Sequence, residues 1–141
     1  MQRQATAIWS GGLKDGKGTL TTPTGVLSNT PYTFVTRFEN TNGTSPEELI
    51  AAAHAGCFAM AFSGELGKAN ISAQRIESTA RVTLDTVDGK PTVTKSDLSL
   101  TVNAPGASEA AIDKAANDAK AGCPISRLLN TKISLAMTVH V

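Results

Sequence analysis

The sequence predicts an α+β fold in which antiparallel sheets wrap around a long buried helix. Three observations lead to this prediction: short strand-like segments at the start, a long apolar helix after them, and an alternating hairpin beyond the helix. No internal repeat or long linker interrupts the 141 residues, a length that suits one hydrophobic core. We therefore expect a single domain over residues 1–141.

The first part of the chain has the pattern of three short strands separated by turns. Gly11-Gly12 and Pro23-Thr24-Gly25 are turn-forming runs of the kind that ends strands. The predicted strands cover residues 5–10, 18–22 and 33–38, and residues 40–44 form a polar loop.

The next element is a helix with a clear N-terminal signal. Ser45 can act as the N-cap, Pro46 suits the first helical position, and Glu48 stands three residues after the cap, as a capping box requires. The predicted helix continues to Phe62 and fades near Gly64.

Residues 49–62 of this helix are apolar around the whole circumference, interrupted by His54. The run is shorter than the roughly 18 residues of a membrane span, so we expect a buried helix and no membrane partner. A helix of this kind needs cover on every side, and one chain of 141 residues has little material to provide it. We infer a homodimer in which two central helices cover each other.

The second half continues with a hairpin, a helix and a final strand. Residues 76–85 alternate between apolar and polar side chains, and Asp88-Gly89 turns the chain into the return strand. Ser108 caps a second helix, and a short helical turn opens at Cys123. The positions predicted to face the core are Leu98, Leu100 and Val102 in the return strand, Ile112, Ala115, Ala116 and Ala119 in the helix, and Ile133, Leu135, Met137, Val139 and Val141 in the last strand.

Composition and charge narrow the classes of function. Basic residues number 13 against 12 acidic ones, and this net charge of +1 gives no reason to expect nucleic acid or an anionic membrane as partner. The N-terminal segment lacks the apolar region of a secretory signal, and two cysteines without such a signal fit a reducing compartment. We expect a cytoplasmic protein. No ligand motif supports a zinc site, so we expect neither a metal nor a cofactor.

The two cysteines are the candidate reactive groups. Cys57 lies in the middle of the apolar helix, where a free cysteine is often a small buried hydrophobe. Cys123 lies at the start of a helical turn, where N–H groups and the helix dipole favour a thiolate. The alternative for Cys123 is an N-cap position without chemical consequence.

Arg37 and Glu47 are the candidate charged partners. Arg37 lies among aromatic residues in the predicted strand 33–38, where it needs an anion if it borders a cleft and otherwise points to water. Glu48 has a capping role, whereas Glu47 has no evident one and is free to hold Arg37. Glu47 and Cys57 are ten residues apart, about 15 Å along a helix. A site that uses both therefore needs Glu47 from another subunit.

The two histidines carry weaker signals. His54 stands one turn before Cys57, so a Cys–His nucleophile and base is one interpretation. The sequence offers no obvious third group to orient the imidazole, and we favour a satisfied core or interface histidine. His140 falls on the outward face of the last strand, where we expect it to be solvated.

Two segments resemble the motifs of a known family. Residues 42–58, NGTSPEELIAAAHAGCF, resemble the signature of the OsmC/Ohr family of osmotically inducible and organic hydroperoxide resistance proteins. Residues 122–126, GCPIS, resemble its second cysteine motif, and the likeness runs nearly from end to end. Ohr-like members place the active-site arginine in an early Gly-Gly-Arg-Asp-Gly turn, where this chain reads GGLKDG. Arg37 and His54 instead resemble the OsmC branch.

The resemblance implies an OsmC-like fold, an intertwined homodimer with two active sites at its interface, and a thiol-dependent peroxidase. It assigns Cys57 as the peroxidatic nucleophile and Cys123 as the resolving thiol, and it gives Arg37 and Glu47 the family's arginine and glutamate roles. We expect organic hydroperoxides, and less efficiently hydrogen peroxide, to be reduced through a Cys57 sulfenic acid and a Cys57–Cys123 disulfide. A lipoyl-type dithiol is the implied reductant, and defence against oxidative or osmotic stress the implied role.

A physical argument links the arginine to the thiol. An apolar setting raises the pKa of a thiol, so Cys57 needs a nearby cation to ionise, and Arg37 is the candidate.

Two alternatives from other functional classes stay open. One is a redox sensor or carrier that cycles its disulfide without useful turnover, and the other is a binding module whose apolar cavity holds a lipid while the cysteines are bystanders.

Overall fold

The computed structural model describes residues 1–39 and 41–141. Asn40, at the start of the predicted polar loop, lies outside the described residues. The chain divides into two compact units, Met1–Leu49 and Ile50–Val141, and the boundary falls inside a helix that runs from Pro46 to Lys68. Helices and strands occur together along the chain, which confirms the predicted α+β class.

The first unit contains a three-stranded antiparallel sheet in the order β1-β2-β3. Its strands are β1, Thr6–Ser10, β2, Lys17–Thr21, and β3, Thr30–Tyr32. The register pairs Gly18 with both Trp9 and Tyr32. A Cβ at Gly18 would lie 2.5 Å from Tyr32 Cε1 and 2.6 Å from Trp9 Cε3, so the two aromatic side chains fill the space beside this glycine.

The strand predicted over residues 33–38 is wrong, because Phe34–Phe38 form a short helix, α1. Thr33 is its N-cap: the Thr33 hydroxyl accepts a hydrogen bond from the Thr36 N–H at 3.2 Å. In return, the Thr33 N–H donates to the Thr36 hydroxyl at 2.9 Å. These bonds satisfy locally the N–H groups that a strand pairs across a sheet, and they outweigh the strand preference of the β-branched and aromatic residues here.

Helix α2, Pro46–Lys68, begins as predicted and ends later than predicted. Ser45 Oγ accepts from the Glu48 N–H at 3.1 Å, but the Glu48 carboxylate accepts from the Thr44 hydroxyl instead of completing the capping box. The helix continues through Gly64 and Gly67 to Lys68. Packing of Phe62 and Leu66, both fully buried, outweighs a helix-propensity cost of about 1 kcal/mol for each glycine.

Within one chain, α2 is buried along one side only. His54, Phe58, Phe62 and Leu66 follow one another at four-residue intervals, and all are fully buried. The opposite side is exposed, with Met60 at 79% exposure. By length and composition alone α2 is able to cross a membrane, although core helices of soluble proteins share these properties; 22% of its most apolar window is buried.

Besides most of α2, the second unit contains a hairpin, two helices and a final strand. These elements are β4, Arg75–Val87, β5, Lys90–Asn103, α3, Glu109–Gly122, α4, Pro124–Leu128, and β6, Lys132–His140. Asp88 and Gly89 have φ angles of 51° and 73°, the left-handed conformation that a tight hairpin turn requires. The predicted hairpin and the predicted helix capped by Ser108 are confirmed.

The sheet of the second unit is mixed rather than antiparallel throughout. Its order is β4-β5-β6; β4 and β5 are antiparallel, but β6 runs parallel to β5, from Lys95 opposite Lys132 to Asn103 opposite His140. The expectation of purely antiparallel sheets is therefore wrong at this pair. Parallel neighbours need a long crossover connection, and α3 and α4 supply it.

The hydrophobic core of the second unit lies between the sheet and the helices. Its fully or nearly fully buried members come from α2, β5 and α3 and include Phe58, Phe62, Leu66, Leu98, Leu100, Val102, Ile112, Ala116 and Ala119. The core positions predicted for β5 and α3 are confirmed. Burial of each of these Phe or Leu side chains stabilises the folded state by about 1.5–3 kcal/mol. Cys123 is a member of this cluster, and Cys57 packs against it.

Candidate active site

Cys57 and Cys123 meet in the second unit. Their Sγ atoms lie 2.8 Å apart, although 66 residues separate them in the chain. Cys57 is half-buried, Cys123 is fully buried, and both are free thiols. At this distance the thiols share a hydrogen bond, which either can donate. A disulfide bond measures about 2.05 Å, so the sulfurs need to approach by less than about 1 Å to join.

Packed elements hold both thiols in place. Cys57 lies in α2 directly before the buried Phe58, on a helix fixed by its stripe of core residues. Cys123 is the residue between α3 and α4, and its N–H donates to the carbonyl of Ala119 at 2.9 Å. Pro124 starts α4 immediately afterwards and restricts the backbone there. The predicted helical turn at Cys123 is confirmed.

The surroundings act on the two thiols in opposite directions. Burial raises the pKa of Cys57, and the neighbouring Cys123 raises it further. Burial also acts to raise the pKa of Cys123, but the hydrogen bond with Cys57 and the nearby Ser126 N–H and hydroxyl outweigh it and lower that pKa. The Cys123 side chain makes no regular capping hydrogen bond, so proximity of these groups produces the effect. Within this unit, negative charge is favoured on Cys123.

His54 lies fully buried in a short chain of hydrogen bonds. Its Nδ1 is 2.7 Å from Ser96 Oγ, and its Nε2 is 2.8 Å from Ser126 Oγ. Ser96 is also fully buried, and Ser126 nearly so. Burial lowers the pKa of His54, which favours the neutral ring. The structure therefore places His54 as a satisfied core histidine, with two orienting groups that the sequence did not reveal.

Arg37 and Glu47 form an ion pair in the first unit. Arg37 Nη2 donates to Glu47 Oε1 at 3.0 Å, and Arg37 Nε lies 3.2 Å from Oε1 and 3.4 Å from Oε2. This forked arrangement fixes the plane of the guanidinium. The Arg37 side chain remains 39% exposed, whereas that of Glu47 is 11% exposed. The predicted pairing of these two residues is present.

Aromatic residues surround the guanidinium. The Arg37 guanidinium carbon lies 5.1 Å from the centre of the Phe38 ring, and the Phe34 and Phe38 rings are 4.7 Å apart. A groove of about 250 Å³ runs along this surface, lined by Trp9, Leu13, Tyr32, Thr33, Phe34, Arg37 and Phe38. An always-charged donor thus borders an apolar surface, which suits an anion with an apolar tail.

Comparisons with known proteins decide the family. A family model described as OsmC-like protein matches residues 39–138. Peroxiredoxin OsmC of Escherichia coli is 47% identical over 135 residues, which are 96% of this chain and 94% of that protein. The chain belongs to the OsmC family. The family assignment made from the two cysteine motifs is confirmed.

Solved structures of OsmC-like proteins have the same fold. An OsmC-like protein from Mycoplasma pneumoniae has a TM-score of 0.76 at 16% identity, covering 100% of this chain and 99% of that one. The organic hydroperoxide resistance protein OhrB of Bacillus subtilis has a TM-score of 0.66 at 26% identity, covering 96% of this chain and 98% of its own. The predicted OsmC-like fold is confirmed.

The predicted site residues of this OsmC-family chain fall into two groups, one in each unit. Glu47, Cys57 and Cys123 lie within the segment that matches the family model, and Arg37 stands two residues before it. Across the described residues, no three His, Cys, Asp or Glu side chains come together as metal ligands.

Sequence reasoning missed Ser96 and Ser126. They lie 42 and 72 residues from His54 in the chain, so no local pattern connects them to it. Ser126 stood inside the second cysteine motif, and that position was the one available signal. Ser96 gave no such signal, because an alternating strand commonly carries polar residues such as serine.

Proposed function

We propose that this OsmC-family chain reduces hydroperoxides with Cys57 as nucleophile and Cys123 as resolving thiol. The predicted peroxidase activity is confirmed by the relationship to Peroxiredoxin OsmC, 47% identical over 96% of this chain. The assignment of the steps to these two residues is our proposal. The observation that carries it is the 2.8 Å separation of the two Sγ atoms.

The proposed cycle begins with the Cys57 thiolate. Its sulfur attacks the outer peroxide oxygen, the O–O bond breaks, and the alkoxide leaves and takes up a proton to become the alcohol. Cys57 is left as a sulfenic acid, which condenses with the Cys123 thiol to give a disulfide and water. A dithiol then reopens the disulfide by exchange, and we propose a lipoyl-type dithiol for this step.

The first step needs a cation near Cys57, because burial and Cys123 both raise the pKa of that thiol. We assign this role to Arg37, which the Glu47 carboxylate holds in a fixed plane. The guanidinium stabilises the thiolate before attack and the developing alkoxide during it. Glu47 and Cys57 are ten residues apart on one helix, so we propose that Arg37 and Glu47 serve the Cys57 of a second copy.

An intertwined homodimer supplies that second copy. The side of α2 opposite its buried stripe is exposed and carries Met60, Gly56 and Gly64. Because glycine has no side chain, the two glycines let another backbone approach closely. A partner on this side would bury α2 on every face, as the sequence pattern demands. In that assembly the whole chain acts as a single OsmC-like domain.

The apolar groove beside Arg37 supports a preference for organic hydroperoxides over hydrogen peroxide. Aromatic rings line it, and these rings contact the alkyl tail of an organic substrate but gain little from hydrogen peroxide. The 26% identical OhrB is named an organic hydroperoxide resistance protein. We propose a cytoplasmic enzyme of stress defence that needs no bound cofactor, metal or nucleic acid.

The decisive assay follows peroxide consumption with dihydrolipoamide as reductant. We expect wild type to turn over cumene hydroperoxide many times and faster than hydrogen peroxide, and Cys57→Ser to be inactive. Equal rates with the two peroxides would contradict the substrate preference. A single stoichiometric oxidation without turnover would instead indicate a redox sensor, and full activity of Cys57→Ser would make the thiols bystanders.

A further inference from the structure

We propose that His54 and Ser126 form a positioning pair that stabilises the Cys123 thiolate for disulfide formation. The inference rests on the proposed function and concerns its second step. Ser126 Oγ lies 2.8 Å from His54 Nε2, and Ser126 stands three residues after Cys123 on the first turn of α4. Ser96 holds the other nitrogen of the ring at 2.7 Å.

The neutral state of His54 limits how this pair can be arranged. A neutral imidazole has one N–H donor and one bare nitrogen acceptor. Ser96 and Ser126 occupy both nitrogens, so one serine must accept from the ring while the other donates to it. The ring is fully buried, and protonating it would place an unpaired charge in the core.

Two arrangements satisfy these conditions. In the first, Nδ1–H donates to Ser96, and the Ser126 hydroxyl donates to Nε2; Ser126 then presents only lone pairs to Cys123, which suits the thiol. In the second, the Ser96 hydroxyl donates to Nδ1, and Nε2–H donates to Ser126. The Ser126 hydroxyl is then free to donate to the sulfur of Cys123, which suits the thiolate. A change of tautomer at His54 thus accommodates both states of Cys123 without charging the ring.

The second arrangement favours the chemistry of resolution. The Cys123 thiolate attacks Cys57 sulfenic acid, the S–S bond forms, and the S–O bond breaks with hydroxide as leaving group. The proton that Cys123 gave up converts this hydroxide to water, so atoms and charge balance. Cys123 is oxidised and Cys57 is reduced, and no further reactant is needed.

The other groups that act on Cys123 are neutral. The pKa of Cys123 responds to its burial, to the thiol of Cys57 in α2, and to Ser126 and the Ile125 N–H in α4. His54 in α2 and Ser96 in β5 complete the polar cluster, and the buried side chains of α3 are apolar. Within one chain the groups that act on the pKa of Cys123 are therefore uncharged, and the Ser126 hydroxyl is the one among them that is bonded to the His54 ring.

The test titrates Cys123 by the ultraviolet absorbance of its thiolate in a Cys57→Ser background, where it is the one remaining thiol of two. This measurement needs no peroxide. We compare the background with Ser126→Ala, Ser126→Thr, His54→Gln and a matched control, Ser134→Ala. Ser134 Oγ donates to Asp97 at 2.6 Å in the neighbouring strands, so the control also removes a serine hydrogen bond.

We expect Ser126→Ala to raise the Cys123 titration midpoint by about one pH unit, while Ser126→Thr, which keeps the hydroxyl, and Ser134→Ala leave it in place. In the chain with both cysteines, Ser126→Ala should slow disulfide formation about threefold below that midpoint. The thiolate population falls about tenfold, but a thiolate of higher pKa is more nucleophilic. Formation of the sulfenic acid, trapped with a 1,3-dione, is measured separately, so that a change in the first step is not mistaken for slower resolution.

The outcomes separate this inference from the proposed function. An unchanged midpoint in both Ser126→Ala and His54→Gln, with folding intact by circular dichroism, would overturn the positioning role even if the wild type consumes peroxide. An equal shift in Ser134→Ala would also overturn it, since the effect would then be a general one. A shifted midpoint in a wild type that consumes no peroxide would support the positioning role and reject the proposed function.

Discussion

The thiol cluster and the Arg37–Glu47 pair are built in contrasting ways. The thiols lie in the packed core of the second unit, and the surrounding hydrogen bonds come from the neutral groups Ser96, His54 and Ser126. The ion pair lies at the surface of the first unit beside an open groove, and Arg37 is still 39% exposed. The first region is held in place by the packing of one chain, whereas the second leaves a charged side chain exposed. This contrast is the basis of our proposal that the pair serves the thiols of a second copy.

The largest expected effect comes from removing the exposed charge. Arg37→Ala should lower kcat/KM for cumene hydroperoxide by about a hundredfold, because the developing negative charge loses a fixed donor. Arg75→Ala is the matched control, since Arg75 also pairs with a glutamate, Glu77, at an exposed site. Steady-state kinetics on both variants measure the difference. Equal losses of kcat/KM in the two variants would mean that Arg37 takes no specific part in the reaction.

Mixing an inactive and a strongly impaired variant tests whether Arg37 and Cys57 of one site come from different copies. If Arg37 acts on the Cys57 of another copy, a hybrid of Arg37→Ala and Cys57→Ser subunits contains one intact site. Random reassociation should then restore about a quarter of wild-type activity. The measurement is activity after unfolding and refolding the two variants together, with each refolded alone as the control. No recovery, although hybrids form, would place Arg37 and Cys57 in the same copy.

The buried histidine predicts how stability depends on pH. Burial lowers the pKa of His54 below its ordinary value of 6.5, so below about pH 6.5 the unfolded chain binds more protons than the folded one. The free energy of unfolding should therefore fall with decreasing pH, by at most about 1.4 kcal/mol per unit, down to the lowered pKa. Urea unfolding of wild type and His54→Gln over this range tests it. The His54→Gln variant, which has no titrating ring at this position, should lose this part of the pH dependence.

The smallest expected effect concerns Ser78 on the inner face of β4. Its Oγ is buried without a hydrogen-bond partner in the part of the chain that the structure describes. Ser78→Ala should leave the free energy of unfolding unchanged or raise it by up to about 1 kcal/mol, because it removes a desolvated polar atom. A lower free energy of unfolding for Ser78→Ala, measured by urea denaturation, would show that this hydroxyl has a hydrogen-bond partner in solution.

Local signals carried most of the fold prediction. The cap at Ser45, the turn at Asp88 and the apolar stripe of α3 are short-range features, and each is present. The errors came from competition between short-range signals or from long-range pairing. The reciprocal bonds of Thr33 and Thr36 turn a strand-like segment into helix α1. The direction of β6 depends on the crossover before it, which periodicity does not show.

The candidate site was predictable to the extent that its residues carry distinctive chemistry. Cysteine, arginine and glutamate in sequence motifs pointed to the two groups that the structure contains. The serines on either side of His54 were not predictable, since their role arises from contacts across 42 and 72 residues. A single alternating strand gives the same pattern whether or not its serine meets a histidine.

The parallel pairing of β6 with β5 has a consequence for the order of folding. Cys123 lies in the crossover between these two strands, so it precedes β6 and follows β5 in the chain. During synthesis, Cys57 and the hairpin leave the ribosome before the last strand of the sheet does. The nascent chain therefore carries both thiols before the strand that completes this sheet has been synthesised.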